Sequence, residues 1–294
     1  MRSLLFVPGD SERKLDKALG SGADVLILDL EDSVAPAAKP AARQMTAEFL
    51  KSHAGRPAPV FYVRVNDLST GLTDDDLAAV MPAGPAGIML PKANSADDVS
   101  LLAARLRVHE AENGLADGTT RILPLITETP AGVLAAGTHA RPNPRLSGLT
   151  WGAEDLSAAI GARSSRDESG RYTPLFQHAR TVTLLAASAA GVAAIDTVLP
   201  DFRDEAAFRR DCVEAERDGF VAKLAIHPAQ VTVINEVFTP SPEAVAHAAT
   251  VIAAFRDAGD AGVVAIAGKM YDRPHVKLAE RLLERAKAGG AGLD

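Results

Sequence analysis

The chain has 294 residues, 47 % of them hydrophobic, and its 31 Lys and Arg against 38 Asp and Glu give a net charge of −7. That balance argues against a nucleic-acid surface built on clustered positive charge, and a single cysteine, Cys212, excludes an internal disulfide or a structural zinc cluster. The apolar N-terminus breaks at Pro8-Gly9, too soon for a signal peptide, and no apolar run nears the ~18 residues of a membrane span, so a cytoplasmic protein is expected.

Eight short apolar runs bounded by turn signals follow one another: residues 4–7, 25–30, 60–65, 87–90, 122–126, 146–151, 194–199 and 222–226. Segments of helical spacing lie between them, among them 12–19, 41–50, 96–111 and 179–190. Nearly continuous apolar strands alternating with helices indicate a parallel sheet buried on both faces. Eight units in a chain near the ~250 residues typical of the fold predict an α/β (β/α)8 TIM barrel; an open doubly wound sheet is the alternative. The barrel is predicted over 1–230 and a C-terminal helical extension or lid over 231–294. Pro240-Ser241-Pro242-Glu243 opens a helix of that extension, and a second starts at Pro274.

Polar groups close these runs, at the strand ends where α/β barrels keep their chemistry. The first ends in Pro8-Gly9-Asp10-Ser11, the second in Asp29-Leu30-Glu31-Asp32, the third in Arg64 and Asn66, the fourth in Pro91-Lys92. Glu128 ends the fifth, Gly152-Ala153-Glu154-Asp155 the sixth, Asp201 the seventh and His227 the eighth. Glu128 and Asp155 are hard oxygen donors on neighbouring strand ends, which suits Mg2+ or Mn2+ and leaves most of an octahedral shell to water and substrate. A merely solvated pair fits the spacing as well. The planar fork of Arg64 suits a substrate carboxylate, or a structural ion pair with Asp29. Asp29, Glu31 and Asp32 crowd like charges, so at least one needs a cation or a raised pKa; they are candidates for metal support or acid/base work, with solvated loop acids as the alternative. Lys223 and His227 could bind phosphate or rim the barrel. The glycines before Lys269 are spaced wrongly for a phosphate loop and are followed by Met. Cys212 is expected to be a packed, inert thiol.

Phe6-Val7-Pro8-Gly9, Leu28-Asp29-Leu30-Glu31-Asp32-Ser33-Val34, Val63-Arg64-Val65-Asn66, Leu90-Pro91-Lys92, Glu128-Thr129, Gly152-Ala153-Glu154-Asp155, Ile226-His227-Pro228 and Asp272-Arg273-Pro274-His275 stand in this order. Together they resemble the citrate lyase β-subunit family of the HpcH/HpaI aldolase superfamily, over essentially the full length. The resemblance implies a TIM barrel using Mg2+ held by Glu128 and Asp155, with Arg64 and the segment Gly152, Ala153, Glu154, Asp155 against an oxo- or hydroxy-acid. It implies Asp272 as an acid/base delivered to a neighbouring subunit's site, in a homotrimer or dimer of trimers. Pro8, Gly9, Ser11, Arg13 and Lys14 resemble the region that receives coenzyme A; an acyl carrier protein is the other thioester partner the family suggests. Two departures stand out. Aldolases proper carry Glu-His where this chain has Glu31-Asp32, and Ala222 replaces the family's usual Gly before the strand-eight Lys. The expected chemistry is reversible carbon–carbon cleavage of a 3-hydroxyacyl thioester with a distal carboxylate. Thioester hydrolysis, a carrier-dependent citrate lyase subunit and a non-catalytic oxo-acid-binding barrel are the alternatives.

Overall fold

In a computed structural model, which describes residues 1–259 and 261–288, the eight apolar runs become eight parallel strands. They are β1 (Ser3–Pro8), β2 (Val25–Asp29), β3 (Val60–Arg64), β4 (Gly87–Leu90), β5 (Arg121–Pro124), β6 (Gly148–Thr150), β7 (Ala193–Asp196) and β8 (Ala222–Ala225). Their hydrogen-bonded order is β5-β4-β3-β2-β1-β8-β7-β6. Parallel bridges Ile122–Leu146 and Leu125–Thr150 join the two outer strands, so the sheet closes and the fold is a TIM barrel.

Alternation along each strand separates two apolar layers. Leu4, Ile27, Tyr62, Met89, Leu123, Ile195 and Leu224 pack together in one cluster. Leu5, Leu26, Leu28, Val63, Ile88, Ile122 and Leu149 belong to the larger one, shared with the helices. Each such side chain is worth roughly 1.5–3 kcal/mol on burial, and a register slip of one residue would exchange the layers. The helices are α1 (Glu12–Leu19), α2 (Lys39–Ser52), α3 (Thr73–Val80), α4 (Ala96–Glu112), α5 (Pro130–Ala135), α6 (Glu154–Ile160), α7 (Pro174–Ala190), α8 (Glu205–Asp218) and α9 (Pro228–Phe238). Several start on side-chain caps: Ser95 accepts from the Asp97 amide, and Thr129 accepts from Gly132 with Pro130 in the first turn. Cys212 is buried in α8, and burial pushes its thiol up to about 12, as expected of an inert residue.

The extension is not wholly helical. Between α10 (Pro242–Asp257) and α11 (Arg273–Ala288) lies an antiparallel hairpin, β9 (Val263–Ile266) and β10 (Lys269–Asp272). Ala267 and Gly268 both take positive φ, 49° and 77°, the left-handed pair that a two-residue hairpin turn needs. Ala248, Val251, Phe255 and Ala279 form a separate small core here. Arg285 ties α11 to the barrel, its Nη2 donating to the Phe238 carbonyl and to Glu216 Oε1, each at 3.2 Å. Residue 260 and residues 289–294 of the predicted extension lie outside the described residues. Among the described residues no helix is long and apolar enough to cross a membrane.

Candidate active site

The ends of β2 and β3 are locked together before any ligand is considered. Arg64 donates from Nε to Asp29 Oδ1 at 2.7 Å and from Nη2 to Oδ2 at 2.6 Å, a bidentate pair of the stronger charge-assisted kind. Asp29 also accepts from the amides of Glu31 and Ser33, at 2.9 and 3.2 Å. Burial would push the Asp29 carboxyl up, but the guanidinium and these donors hold it below the ordinary carboxylate range. Behind it, buried Lys39 donates to the Leu30 and Glu31 carbonyls and to Asn66 Oδ1. Asn66 in turn is held by Asp76, which accepts from its backbone and side-chain nitrogens at 2.7 Å each. The Arg64–Asp29 ion pair foreseen as one alternative therefore exists, and it pre-orients the guanidinium.

Arg64 Nη1 also lies 2.9 Å from Glu31 Oε2 and 3.5 Å from Asp32 Oδ2. The Glu31 contact lacks hydrogen-bond geometry, so Oε2 is buried with no hydrogen-bond donor. Lys92 Nζ donates to the other oxygen of Glu31 and stands 3.5 Å from Asp155 Oδ1. Burial raises the Glu31 carboxyl to about 7 despite the pull of Arg64 and Lys92. The crowded acids thus show both predicted outcomes, a cationic partner and a raised pKa.

Glu128, 3 % exposed, follows β5. It accepts from the Lys92 amide at 2.6 Å. Burial, then the charges of Asp155 and Glu31, push its carboxyl up to about 8. Gly152 makes room for it: a Cβ there would sit 2.7 Å from Glu128 Cγ and 3.1 Å from Oε1. Asp155 stands in the first turn of α6 and is about one-third exposed. Trp151, fully buried, donates from Nε1 to Asp196 Oδ1 at 2.8 Å and so anchors the end of β6 below Gly152.

These groups face a cavity of about 400 Å³, with Arg64, Asp29, Asp32, Glu128, Glu154 and Asp155 on its polar side. Phe6, Leu125, Val198 and Leu224 form the apolar side. Among the described residues five carboxylates (Asp29, Glu31, Asp32, Glu128 and Asp155) are met by two cations, Arg64 and Lys92, and buried Glu128 accepts a hydrogen bond only from an amide. That imbalance fits a divalent cation. Among the described residues no three His, Cys, Asp or Glu side chains are grouped as a complete ligand set, so a cation here would draw its other ligands from water and substrate.

A second cavity of about 420 Å³ adjoins the first. Both share Phe6, Pro8 and Ile226, and the second is lined by Arg13, Lys14, Lys17 and His227. Gly9 lets β1 turn tightly toward α1: a Cβ would lie 2.6 Å from Thr46 Oγ1 and 2.9 Å from the Asp29 carbonyl. Ser11 is the N-cap of α1 without a side-chain capping bond.

Other predicted residues fall elsewhere. Asp272 lines neither cavity; on β10 it is half-exposed and paired with His275. Lys223 is not a rim or phosphate residue. It is fully buried, donating to Asp196 at 2.6 Å and to Asp211 of α8 at 2.8 Å, because two carboxylates distant in sequence converge on it inside the protein. His227 caps α9 and stacks on Phe202 at 4.5 Å. Lys92 stands in the sequence as the close of a strand and as part of the Leu90-Pro91-Lys92 motif, without an assigned role; the structure puts its ammonium among the acids.

The fold and site define a class: a TIM barrel with an acidic pocket at the C-terminal rim of its strands. The chain belongs to the HpcH/HpaI aldolase/citrate lyase family, whose model matches residues 2–228. A citrate lyase subunit beta-like protein of Mycobacterium tuberculosis is 37 % identical over 96 % of this chain and 94 % of that protein. A (3S)-malyl-CoA thioesterase of Cereibacter sphaeroides is 36 % identical over 98 % and 95 %. The crystal structure of CitE from Mycobacterium tuberculosis, in complex with magnesium, acetoacetate and coenzyme A, superposes with a TM-score of 0.78 at 37 % identity, covering 97 % of this chain and 98 % of that one.

Proposed function

We propose that the protein is a Mg2+-dependent carbon–carbon lyase that reversibly cleaves a 3-hydroxyacyl-CoA thioester bearing a distal carboxylate, of the malyl, citramalyl or citryl type. The products are acetyl-CoA and a 2-oxo acid. The observation that carries this reading is the unmatched acidic cluster around Glu128 beside a second, basic cavity. The structure of the Mycobacterium tuberculosis relative in complex with magnesium, acetoacetate and coenzyme A supports a site for these classes of ligand.

In this reading Glu128 and Asp155 hold the magnesium ion, with Mn2+ as a substitute. When bound, it supplies Lewis-acid polarisation of the substrate's hydroxyl and carboxylate oxygens. Arg64, held by Asp29, turns its remaining donors to the substrate carboxylate. Gly152, Ala153 and Glu154 form the wall that the acid lies against. Glu31 and Asp32 fix the guanidinium's other side and take part in proton movement near it. The phosphates of coenzyme A lie along Pro8, Gly9, Ser11, Arg13 and Lys14, where the basic side chains and the start of α1 favour anions. Asp272, paired with His275 away from both cavities, serves a neighbouring copy in a trimer or dimer of trimers, moving the proton at the thioester α-carbon. Residues 1–230 are then the catalytic barrel and 231–294 the extension that reaches the neighbour.

The likeness to a (3S)-malyl-CoA thioesterase favours a second reading, hydrolysis of the same thioester, and the citrate lyase likeness a third, a subunit acting on an acyl carrier protein thioester. Incubating the protein with malyl-CoA or citramalyl-CoA and Mg2+ separates them. Acetyl-CoA plus oxo acid is expected; free CoA plus hydroxy acid would identify the thioesterase. No turnover without a carrier protein would point to the subunit, and oxo-acid binding with no turnover of any thioester to a non-catalytic barrel.

A further inference from the structure

Lys92, just after β4, is one of two described non-glycine residues with positive φ, at 51°. A left-handed lysine costs about 1 kcal/mol, so something else must hold it there. Both of its ends are engaged. The amide donates to Glu128 Oε2 at 2.6 Å. The ammonium donates to Glu31 and lies 3.5 Å from Asp155 Oδ1 and 3.9 Å from Asp32 Oδ1. One residue thus touches both carboxylates assigned to the cation, Glu128 through the main chain and Asp155 through its charge. The ion pairs of Arg64 run instead to Asp29, Glu31 and Asp32. The Lys92 side chain is about one-quarter exposed, which leaves the ammonium room to move while the amide stays fixed.

We infer that Lys92 is a positioning residue whose ammonium acts as a tethered counter-ion of the metal-free site, holding Asp155 beside Glu31 until a divalent cation displaces it. The inference rests on the proposal that Glu128 and Asp155 bind Mg2+. Without a cation, each of Glu31, Asp32 and Glu128 repels Asp155 on its short helix to the extent that it is ionised. The ammonium neutralises that repulsion where the ion is to bind. Once a divalent ion sits between Glu128 and Asp155, it and the ammonium carry like charge in one small, partly desolvated space, so the two compete for the same oxygen. The backbone bond to Glu128 does not depend on the side chain and survives the exchange.

A purely structural role and a counter-ion role predict opposite signs. Titration calorimetry of Mg2+ into the whole protein is the test. Lys92→Met keeps the backbone and the length and removes the charge; it should bind Mg2+ about ten-fold more tightly. Lys92→Arg keeps the charge and should stay within about two-fold of the parent. Unchanged or weaker binding by Lys92→Met overturns the inference. If Lys92→Met does not fold, the parent protein decides. An amine-reactive ester read by mass spectrometry should label Lys92 several-fold faster with Mg2+ than without, and equal or slower labelling overturns the inference. Failure of the parent itself to bind Mg2+ would instead remove the magnesium reading beneath it.

Discussion

At the N-terminal end of the barrel strands, Arg2 grips Asp24 through Nε and Nη2, and Arg145 grips Glu110 through both terminal nitrogens at 2.9 and 2.6 Å. At the C-terminal end, among the described residues, Glu128 has an amide and no cation in direct contact, while Glu31 keeps an oxygen without a donor. The carboxyls follow suit. Burial opposes ionisation at both ends, but Arg145 and two backbone amides hold Glu110 down at about 2, whereas Asp155 and Glu31 help push Glu128 up to about 8. The same side-chain chemistry in one fold is paired at the first end, whereas at the second only Asp29 is fully paired and Glu31 and Glu128 resist ionisation. In TIM barrels the first end serves stability and the second function, and here the division can be read from which carboxylates have partners.

The sharpest way to break that comparison is to neutralise the unmatched end. Glu128→Gln should lower turnover of the active thioester by at least about 1,000-fold, as expected when a ligand of a catalytic cation is lost. Because burial and neighbouring acids already oppose ionisation of this carboxyl, a neutral amide should leave the melting temperature unchanged or raised. Asp155→Asn should lower turnover alike. Steady-state kinetics with calorimetric melting checks both, and a large fall in stability would mean that Glu128 is matched after all.

The matched end should respond in reverse. Arg145→Ala strands Glu110 in a buried position, and breaking a buried pair typically costs about 3–5 kcal/mol. Urea unfolding should show that loss, while the activity per folded molecule changes by less than about two-fold. A comparable fall in kcat would make Arg145 part of the working site. Arg64→Lys lies between the two ends in kind. It keeps the charge and loses the fork, so kcat/KM should drop by about 10–100-fold, through the KM of the oxo acid in the condensation direction.

Much of this was legible before the structure. Buried parallel strands must be continuously apolar, so all eight runs announced themselves. The acids at their ends stood out because charge rarely closes so many apolar runs by chance. What escaped depends on contacts between residues distant in sequence. Lys223 looked like a rim cation until Asp196 and Asp211 converged on it. The left-handed backbone of Lys92 has no sequence signal, since it is held by Glu128, 36 residues further on. The hairpin between α10 and α11 was missed because Ala267-Gly268 is a weaker turn signal than Asn-Gly.

The smallest predicted effect concerns the acid limb of stability. Glu110 titrates at about 2 in the folded chain against an ordinary 4.5. A carboxyl depressed by folding contributes stability that is complete above about 4.5 and is lost as pH falls toward about 2, because the unfolded chain takes up a proton that the folded one refuses. Between those limits the folding free energy of the parent should decline more steeply than that of Glu110→Gln, by the slope of about one proton. Other depressed acids, Asp24 and Asp29 among them, give a common background in both proteins, so the difference between the two curves isolates Glu110. Urea midpoints taken from pH 5 down to the lowest pH at which both proteins fold would measure it. Parallel curves would show that Arg145 does not hold Glu110 ionised, and the contrast between the two ends of the barrel would then rest on geometry alone.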